Sequence, residues 1–436
     1  MTLIPALALL AAGCSDDKRD DTAAAQSPPH RSVLLLSLDT LRRDHIGRYG
    51  GGDGTPFLDA LAEQSLALDA HHACANWTYG AMMCFLGGAD GVDLGWVAYG
   101  GGEAPRIPED IVLLPQVLSK SGFATGLIST NGYVGLTSKM NRYYERFEAV
   151  DMAPADEVVD AGLEMLNVLE GQERWLLHLH FFDPHSPYTA PDAYLAGLEG
   201  LDAIDYELGE MQDVIRLAET WGALDEAARA LILQHLDVRY RASIRFMDDE
   251  LARLHEALGS RGLLEDTLIV VMSDHGEQFY EYGELEHGKT LHGVEVDTFA
   301  LFSGANVAPE AWAGPTTHAD LSPTILSYLG VRPDALAPSE DRGGVGVVVG
   351  QAEPSRPLFA AKRDDQQTTQ SVDRDGKRLI FTWEDGERRL FDLALDPAER
   401  SDLYATDPDA EALWDLLAPR VEALDAMIED TSPASP

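Results

Sequence analysis

Two short apolar runs limit what this chain can fold into more than any other feature. Residues 33–38 (VLLLSL) and 268–272 (LIVVM) are too short for buried helices and lack the polar alternation of a strand with one wet face. Strands of this kind are buried on both faces, which calls for helices on both sides of a parallel sheet. The surrounding pattern agrees. Strands are predicted over 123–129, 175–182 and 299–302, alternating with helices over 55–68, 113–121 and 238–258 and a helical insertion over 201–236. The expectation is an α/β fold with a mostly parallel sheet between helices. Near Pro354 the pattern changes to short alternating strands, 378–383 and 389–393 among them, separated by Asp385-Gly386 and followed by a helix over 410–428. Residues 31–353 are therefore expected to form the main domain, and 354–436 a small antiparallel C-terminal α+β subdomain.

The 436-residue chain is 45% hydrophobic, enough for a large core, and has only three Cys. That number excludes a disulfide-dense scaffold and a zinc site of four cysteines. With 32 basic and 74 acidic residues the net charge is -42. Such a field repels nucleic acid and anionic membrane surfaces, so neither is an expected partner, and an anionic substrate needs a local cationic or metallic site. At the N-terminus the apolar run 3–12 is too short to span a bilayer, and Gly13-Cys14 follows two alanines. This resembles a bacterial lipoprotein signal. The resemblance implies a signal peptide over 1–13, acylation of Cys14, a flexible tether over 14–30 and an address in the cell envelope, lipid-anchored and facing the periplasm or exterior. Plain signal cleavage is the alternative. Nothing later in the sequence is apolar and long enough for a membrane helix, so membrane contact is expected only through that anchor.

Chemistry-bearing residues stand where the apolar runs end. Asp39 directly follows the first run, and Asp274-His275 follow Ser273 at the end of the second. Sites in open α/β sheets lie beyond the carboxyl ends of the strands. Brought together, Asp39, Asp274 and His275 offer oxygen and nitrogen ligands for one divalent cation. Any one of them alone is a helix cap or a loop charge; the combination carries the expectation.

These residues also carry a family resemblance. Asp39-Thr40-Leu41-Arg42-Arg43-Asp44-His45-Ile46-Gly47-Arg48-Tyr49-Gly50, followed by Thr55-Pro56-Phe57-Leu58-Asp59-Ala60-Leu61-Ala62, resembles the opening of the sulfatase family of the alkaline-phosphatase superfamily. Asp183-Pro184-His185-Ser186-Pro187-Tyr188 resembles its central His motif, Ser273-Asp274-His275-Gly276-Glu277 its second metal motif, and His287-Gly288-Lys289-Thr290-Leu291 the segment supplying its active-site Lys. Asp320-Leu321-Ser322-Pro323-Thr324, Leu390-Phe391-Asp392-Leu393 and Asp396-Pro397 match its structural signatures. The likeness runs from about Val33 to Leu403 and implies an alkaline-phosphatase/sulfatase-like fold, though fold does not fix the reaction.

The nucleophile segment departs from the family. Where sulfatases present Cys or Ser, any residue, Pro, Ser and Arg, this chain has Thr78-Tyr79-Gly80-Ala81-Met82. Thr cannot become formylglycine, and Met82 replaces the Arg. Thr40 stands for the family's second Asp, and Asn131 and Tyr133 for its Lys-x-His. A Thr nucleophile resembles instead the phosphoethanolamine transferases, which show a cysteine pair like Cys74 and Cys84 around it, so the resemblance implies a disulfide. The alternatives are that both cysteines are small core residues and that Thr78 caps a helix running toward Gly87.

The implied chemistry is attack of Thr78, itself a metal ligand, on a sulfate or phosphate ester, with Lys289, His185 and His287 contacting the ester oxygens and leaving group. The cation is one divalent ion, manganese or zinc ahead of calcium, because His275 stands where calcium sulfatases usually carry Asn. The substrate is an anionic ester: a glycan, a lipid headgroup or a small molecule. Elimination of sulfate from a gem-diol is closed to Thr, which favours phosphoryl over sulfuryl chemistry, while the family resemblance still favours a sulfatase, and both readings stand. Three readings remain: a metal-dependent ester hydrolase, a periplasmic phosphoryl-group transferase, and a catalytically degenerate anion binder. His178 and His180 alternate within one strand and read as structural, His71 and His72 as pocket or exposed loop residues, and His292 as packing.

Overall fold

The computed structural model describes residues 31–95, 97, 107–195, 208–336, 346, 348–350 and 353–431. The signal, Cys14 and the tether lie outside them, as do residues 201–207 of the expected insertion. Strands β1 (Ser32–Leu38), β2 (Leu66–His72), β3 (Ala124–Ser129), β4 (Arg146–Ala149), β5 (Trp175–Phe181) and β6 (Thr267–Ser273) build most of one sheet. A short hairpin, β7 (Gln278–Phe279) and β8 (Leu285–Glu286), follows β6. The chain then returns to the sheet as β9 (Asp297–Ser303), β10 (Glu310–Trp312) and β11 (Thr316–Thr317). The order is β10-β2-β9-β6-β1-β5-β3-β4, with β11 also on β2. Among the described strands of this sheet only β9 runs against its neighbours, β6 and β2; the other pairs in it are parallel.

The helices are α1 (Pro56–Glu63), α2 (Thr78–Gly87), α3 (Leu114–Lys120), α4 (Ala155–Leu169), α5 (Met211–Thr220), α6 (Glu226–Ser260), α7 (Gly293–Val296), α8 (Leu321–Tyr328) and α9 (Ala410–Thr431). Because strand side chains alternate, β1 feeds two cores. Leu34, Leu36 and Leu38 pack with apolar residues of α1, α4 and α6. Val33 and Leu35 face the other way, into a core with α2, α3 and α8. Burying each of these leucines contributes roughly 1.5–3 kcal/mol.

The final strands, β12 (Leu358–Arg363), β13 (Thr368–Arg374), β14 (Lys377–Thr382) and β15 (Arg388–Asp392), form an antiparallel sheet in chain order. Its Val372, Leu379 and Leu390 pack on Ala410, Leu413 and Leu417 of α9. Arg378, completely buried, joins this sheet to the main one: its guanidinium lies 2.6 Å from Asp297 of β9, 2.7 Å from Asp373 and 3.0 Å from Glu399.

Two expectations need correction. The helix expected over 55–68 ends at Glu63, and Leu66–His72 is instead a strand on β9. Ser65 turns the chain, its hydroxyl donating to the Leu61 carbonyl at 2.7 Å, and Leu66 and Leu68 then pair with Phe302 and Ala300. The helix expected from 238 begins twelve residues earlier, capped by Asp225, whose carboxylate accepts the Ala228 amide at 2.8 Å. Among the described residues no helix is long and apolar enough to cross a membrane.

Candidate active site

The register of β1 against β6 places the first candidate group. Leu38 pairs with Ser273, so the next residues, Asp39 and Asp274, leave the sheet side by side. The Asp274 amide donates to the Leu38 carbonyl at 3.2 Å and the Asp39 amide to the Phe181 carbonyl at 3.1 Å. Ligand atoms of Asp39, Asp274 and His275 lie within 4.8 Å of one another, and none of the three residues is exposed. Asp274 Oδ1 accepts the amides of Thr40 (3.1 Å) and His275 (2.7 Å), which leaves Oδ2 without a hydrogen-bond partner. His275 Nδ1 is 2.9 Å from the Gly276 carbonyl, which can only accept, so Nδ1 carries the proton. The Nε2 lone pair then faces Asp274 Oδ2 at 3.5 Å and Asp39 Oδ1 at 3.7 Å.

Electrostatics match that geometry. Burial and the neighbouring Asp39 push Asp274 well above the usual carboxylate range, while burial and His287 push His275 down to about 3. Burial alone would raise Asp39, but His185, His180 and His275 outweigh it and hold it low. Two buried carboxylate groups, one with an orphaned oxygen, and a neutral imidazole with its lone pair turned toward them form a donor set that fits one divalent cation. Thr40 beside them has φ 58°, a strained conformation for a β-branched residue, and its buried hydroxyl has no partner. Its carbonyl is held by the Tyr240 hydroxyl at 2.6 Å.

Thr78 is the first residue of α2, and Trp77 occupies the cap position. The Thr78 hydroxyl oxygen lies 3.4 Å from His275 Nε2, 3.5 Å from Asp39 Oδ1 and 3.3 Å from Asn131 Nδ2. The helix-cap reading of Thr78 is thus replaced by one in which its hydroxyl meets the strand ends. Cys74 and Cys84 are joined by a disulfide that brackets it. Met82, at the family's Arg position, lies in the apolar core, so that cation has no counterpart there.

Asn131 clamps the group: its Nδ2 donates to Asp39 Oδ2 at 2.8 Å as well as to Thr78, and its Oδ1, accepting the Tyr133 amide at 2.9 Å, fixes which way the amide points. His180 Nε2 lies 3.4 Å from the same Asp39 oxygen. Behind it a buried chain runs through Ser37 Oγ to His178 and on to the Tyr144 hydroxyl, each contact 2.8 Å. His178 and His180 do point to one face, but His180 touches the site; the signal was Ser37, its register partner on β1.

The remaining histidine candidates gather beside His275. The His287 ring lies 4.5 Å from that of His275 and 4.9 Å from that of His185, which stacks on Phe182 at 4.4 Å. His287 Nδ1 lies 3.1 Å from Glu277 Oε1, and burial together with His185 pushes His287 down to about 4. Lys289 follows on the same loop, half-buried, with its charge acting on His287. His71 and His72 are elsewhere: His71 is buried against Thr316 at 3.0 Å, and His72 faces Asp297 at 3.1 Å. His292 packs on Tyr282, rings 3.8 Å apart. A second set, His72, Asp297 and Asp373, has ligand-like spacing, but the Arg378 guanidinium already fills it. A cleft of about 680 Å³ between the two sheets is also separate, and its walls include paired charges such as Arg43 with Asp297 at 3.2 Å.

A mostly parallel sheet with a carboxylate–imidazole cluster and a helix-borne hydroxyl beyond its strand ends defines the alkaline-phosphatase class of α/β proteins. Within that class, the Sulfatase family pattern matches residues 31–331, and the chain belongs to the sulfatase family. The choline-sulfatase of Rhizobium meliloti is 26% identical over 246 residues, 54% of this chain and 47% of the relative. The chain spans about half the length of the curated relatives it matches. Among solved structures, BT4656 in complex with its substrate D-glucosamine-2-N,6-O-disulfate superposes with a TM-score of 0.73 at 16% identity, over 93% of this chain and 99% of that one. The phosphonate monoester hydrolase SpPMH from Silicibacter pomeroyi gives 0.70 at 17% identity, over 90% and 94%. These superpositions show a shared fold.

Proposed function

We propose that this chain hydrolyses sulfate or phosphate esters, with Thr78 as nucleophile beside one divalent cation held by Asp39, Asp274 and His275. The observation that carries the reading is the Thr78 hydroxyl, 3.4 Å from His275 Nε2 and 3.5 Å from Asp39 Oδ1 in a completely buried ligand set. A bound divalent cation would supply Lewis acidity, lowering the pKa of the Thr78 hydroxyl and offsetting the charge of the ester. Asn131 orients the Thr78 oxygen through Nδ2. The hydroxyl proton leaves to solvent as the Thr78 oxygen bonds to phosphorus or sulfur, and the bond to the leaving oxygen breaks. His185 and His287 face that departure, His185 protonating the leaving alcohol and His287 contacting it as a neutral imidazole, while Lys289 stabilises charge developing on the ester oxygens. Water then attacks the Thr78 ester, releasing the anion and restoring the hydroxyl.

Thr78 supports phosphoryl over sulfuryl transfer, because the aldehyde route of formylglycine is closed to it. The names of the relatives, a choline-sulfatase and a phosphonate monoester hydrolase, support an anionic ester of either kind, and the disulfated sugar bound to BT4656 supports a glycan. An imidazole in the ligand set favours manganese or zinc over calcium. The Cys74–Cys84 disulfide favours an oxidising compartment, in keeping with the envelope address, and also a second reading, transfer of the phosphoryl group to an acceptor alcohol. Assaying aryl sulfate, phosphate monoester and phosphodiester substrates with each metal, with and without an acceptor alcohol, tests both. Free anion as the sole product supports hydrolysis, an acceptor ester supports transfer, and binding without turnover leaves the degenerate reading.

A further inference from the structure

We infer that Glu295 is a positioning residue that latches the loop bearing His287 and Lys289 to the segment bearing Thr78. The inference rests on the ester-cleavage reading above and adds to it the device that fixes Lys289 relative to the nucleophile. Glu295 lies in α7 and is completely buried. Its Oε1 accepts the Thr290 amide at 2.9 Å, the Thr290 hydroxyl at 3.2 Å and the Gln278 side-chain amide. Its Oε2 accepts the Lys289 amide at 3.1 Å and Asn76 Nδ2 at 2.8 Å. Asn76 completes the latch, its Nδ2 reaching the Thr290 carbonyl at 2.6 Å and its backbone carbonyl accepting the Gly288 amide at 3.0 Å. Gly288, at φ 71°, lets the loop turn into these contacts. Asn76 stands two residues before Thr78, so one carboxylate ties residues 288–290 to the start of the nucleophile segment.

The donor set suits a carboxylate and no neutral replacement. Two carboxylate oxygens offer about four lone-pair sites, whereas a Gln side chain has one acceptor oxygen and would turn an NH₂ toward donors. Burial pushes Glu295 up to about 7, so the fold retains an acid where an apolar side chain would be cheaper to bury. That cost is understandable if the acid orders the loop carrying Lys289.

The test is a double-mutant cycle on the full chain, with the best ester substrate and metal found for the wild type. Glu295→Gln should lower kcat about tenfold or more with little change in KM, and Glu295→Asp, which keeps the charge, should recover part of the loss. In a Lys289→Ala background the Glu295→Gln effect should shrink to less than about twofold, because the group it positions is gone. Hydrogen exchange should show lost amide protection at residues 288–290 and unchanged protection in β6. Multiplicative effects of the two substitutions, or unchanged kcat in Glu295→Gln, overturn the inference and leave Glu295 a packing residue. If Glu295→Gln does not fold, Glu295→Asp carries the same cycle. A wild type that turns over no ester of any class overturns the ester-cleavage reading itself, an outcome distinct from failure of the cycle.

Discussion

The Thr78 hydroxyl oxygen lies 3.4 Å from Nε2 of His275, the imidazole nitrogen whose lone pair the Gly276 carbonyl leaves free. A hydroxyl placed there shares one coordination space with the ligand set. Thr78→Ala should therefore lower turnover by on the order of a thousandfold or more while retaining fold and bound metal, and Thr78→Ser should keep measurable activity. Steady-state rates with metal analysis of the same samples provide the check. Comparable turnover by wild type and Thr78→Ala sinks the nucleophile assignment.

The ligand set makes a separate prediction. Asp274 Oδ2 is buried without a hydrogen-bond partner, so removing the side chain costs the site a charged ligand that neither Thr40 nor solvent replaces. Dialysed wild type should carry about one divalent cation per chain, and Asp39→Ala and Asp274→Ala should carry little. Chelation should lower the wild-type unfolding temperature and leave that of the variants nearly unchanged, since a ligand at a hundredfold its Kd stabilises by about 2.7 kcal/mol. Full occupancy in both variants would contradict the site.

The strand-end cluster was legible because the two apolar runs can hardly be anything but buried strands, and the residues that end them must emerge at one edge of the sheet. β2 was not: Leu58, Leu61 and Ala62 followed by Leu66 and Leu68 keep an apolar spacing that suits a longer helix, and only pairing with Phe302 and Ala300 across the sheet decides for a strand. The contacts of His180 and Asn131 with Asp39 were hidden for another reason. They depend on the register of β5 against β1 and on a loop after β3, both set by long-range packing that no local spacing records. The same applies to Glu295, whose five donors come from three separate stretches of chain.

Asp183 carries a pH signature. It is 5% exposed, its Oδ2 has no partner, and burial pushes it up to about 8 from the ordinary 3.8. A carboxyl raised on folding favours the folded state while it is protonated. Its contribution is complete below the unfolded value near 4 and is lost as pH rises toward 8, at up to about 1.4 kcal/mol per pH unit. Asp183→Asn keeps an acceptor and stays neutral, so its stability advantage over wild type should grow from pH 4 to pH 8 and then level off. Urea unfolding of both proteins across that range measures it; parallel curves would mean that Asp183 is not the titrating group.

Arg378 makes the last prediction, about how the two sheets stay together. Its buried guanidinium sits among Asp297, Asp373 and Glu399, and burial, which would lower its pKa, is outweighed by those three acids. Replacing it with Leu leaves buried negative charges facing one another, and breaking such a network from one side typically costs about 3–5 kcal/mol. Arg378→Leu should therefore unfold at distinctly lower urea and expose the β12–β15 sheet to protease. The deficit should also shrink on acidification. In the wild type Asp297 is held well below its usual range, so the stability it contributes is present above about pH 4 and fades as pH falls, whereas the variant keeps only the part that Arg43 and His72 supply. A variant as stable as wild type at pH 7, or a deficit that widens toward pH 4, would show that the sheets are held by apolar packing alone.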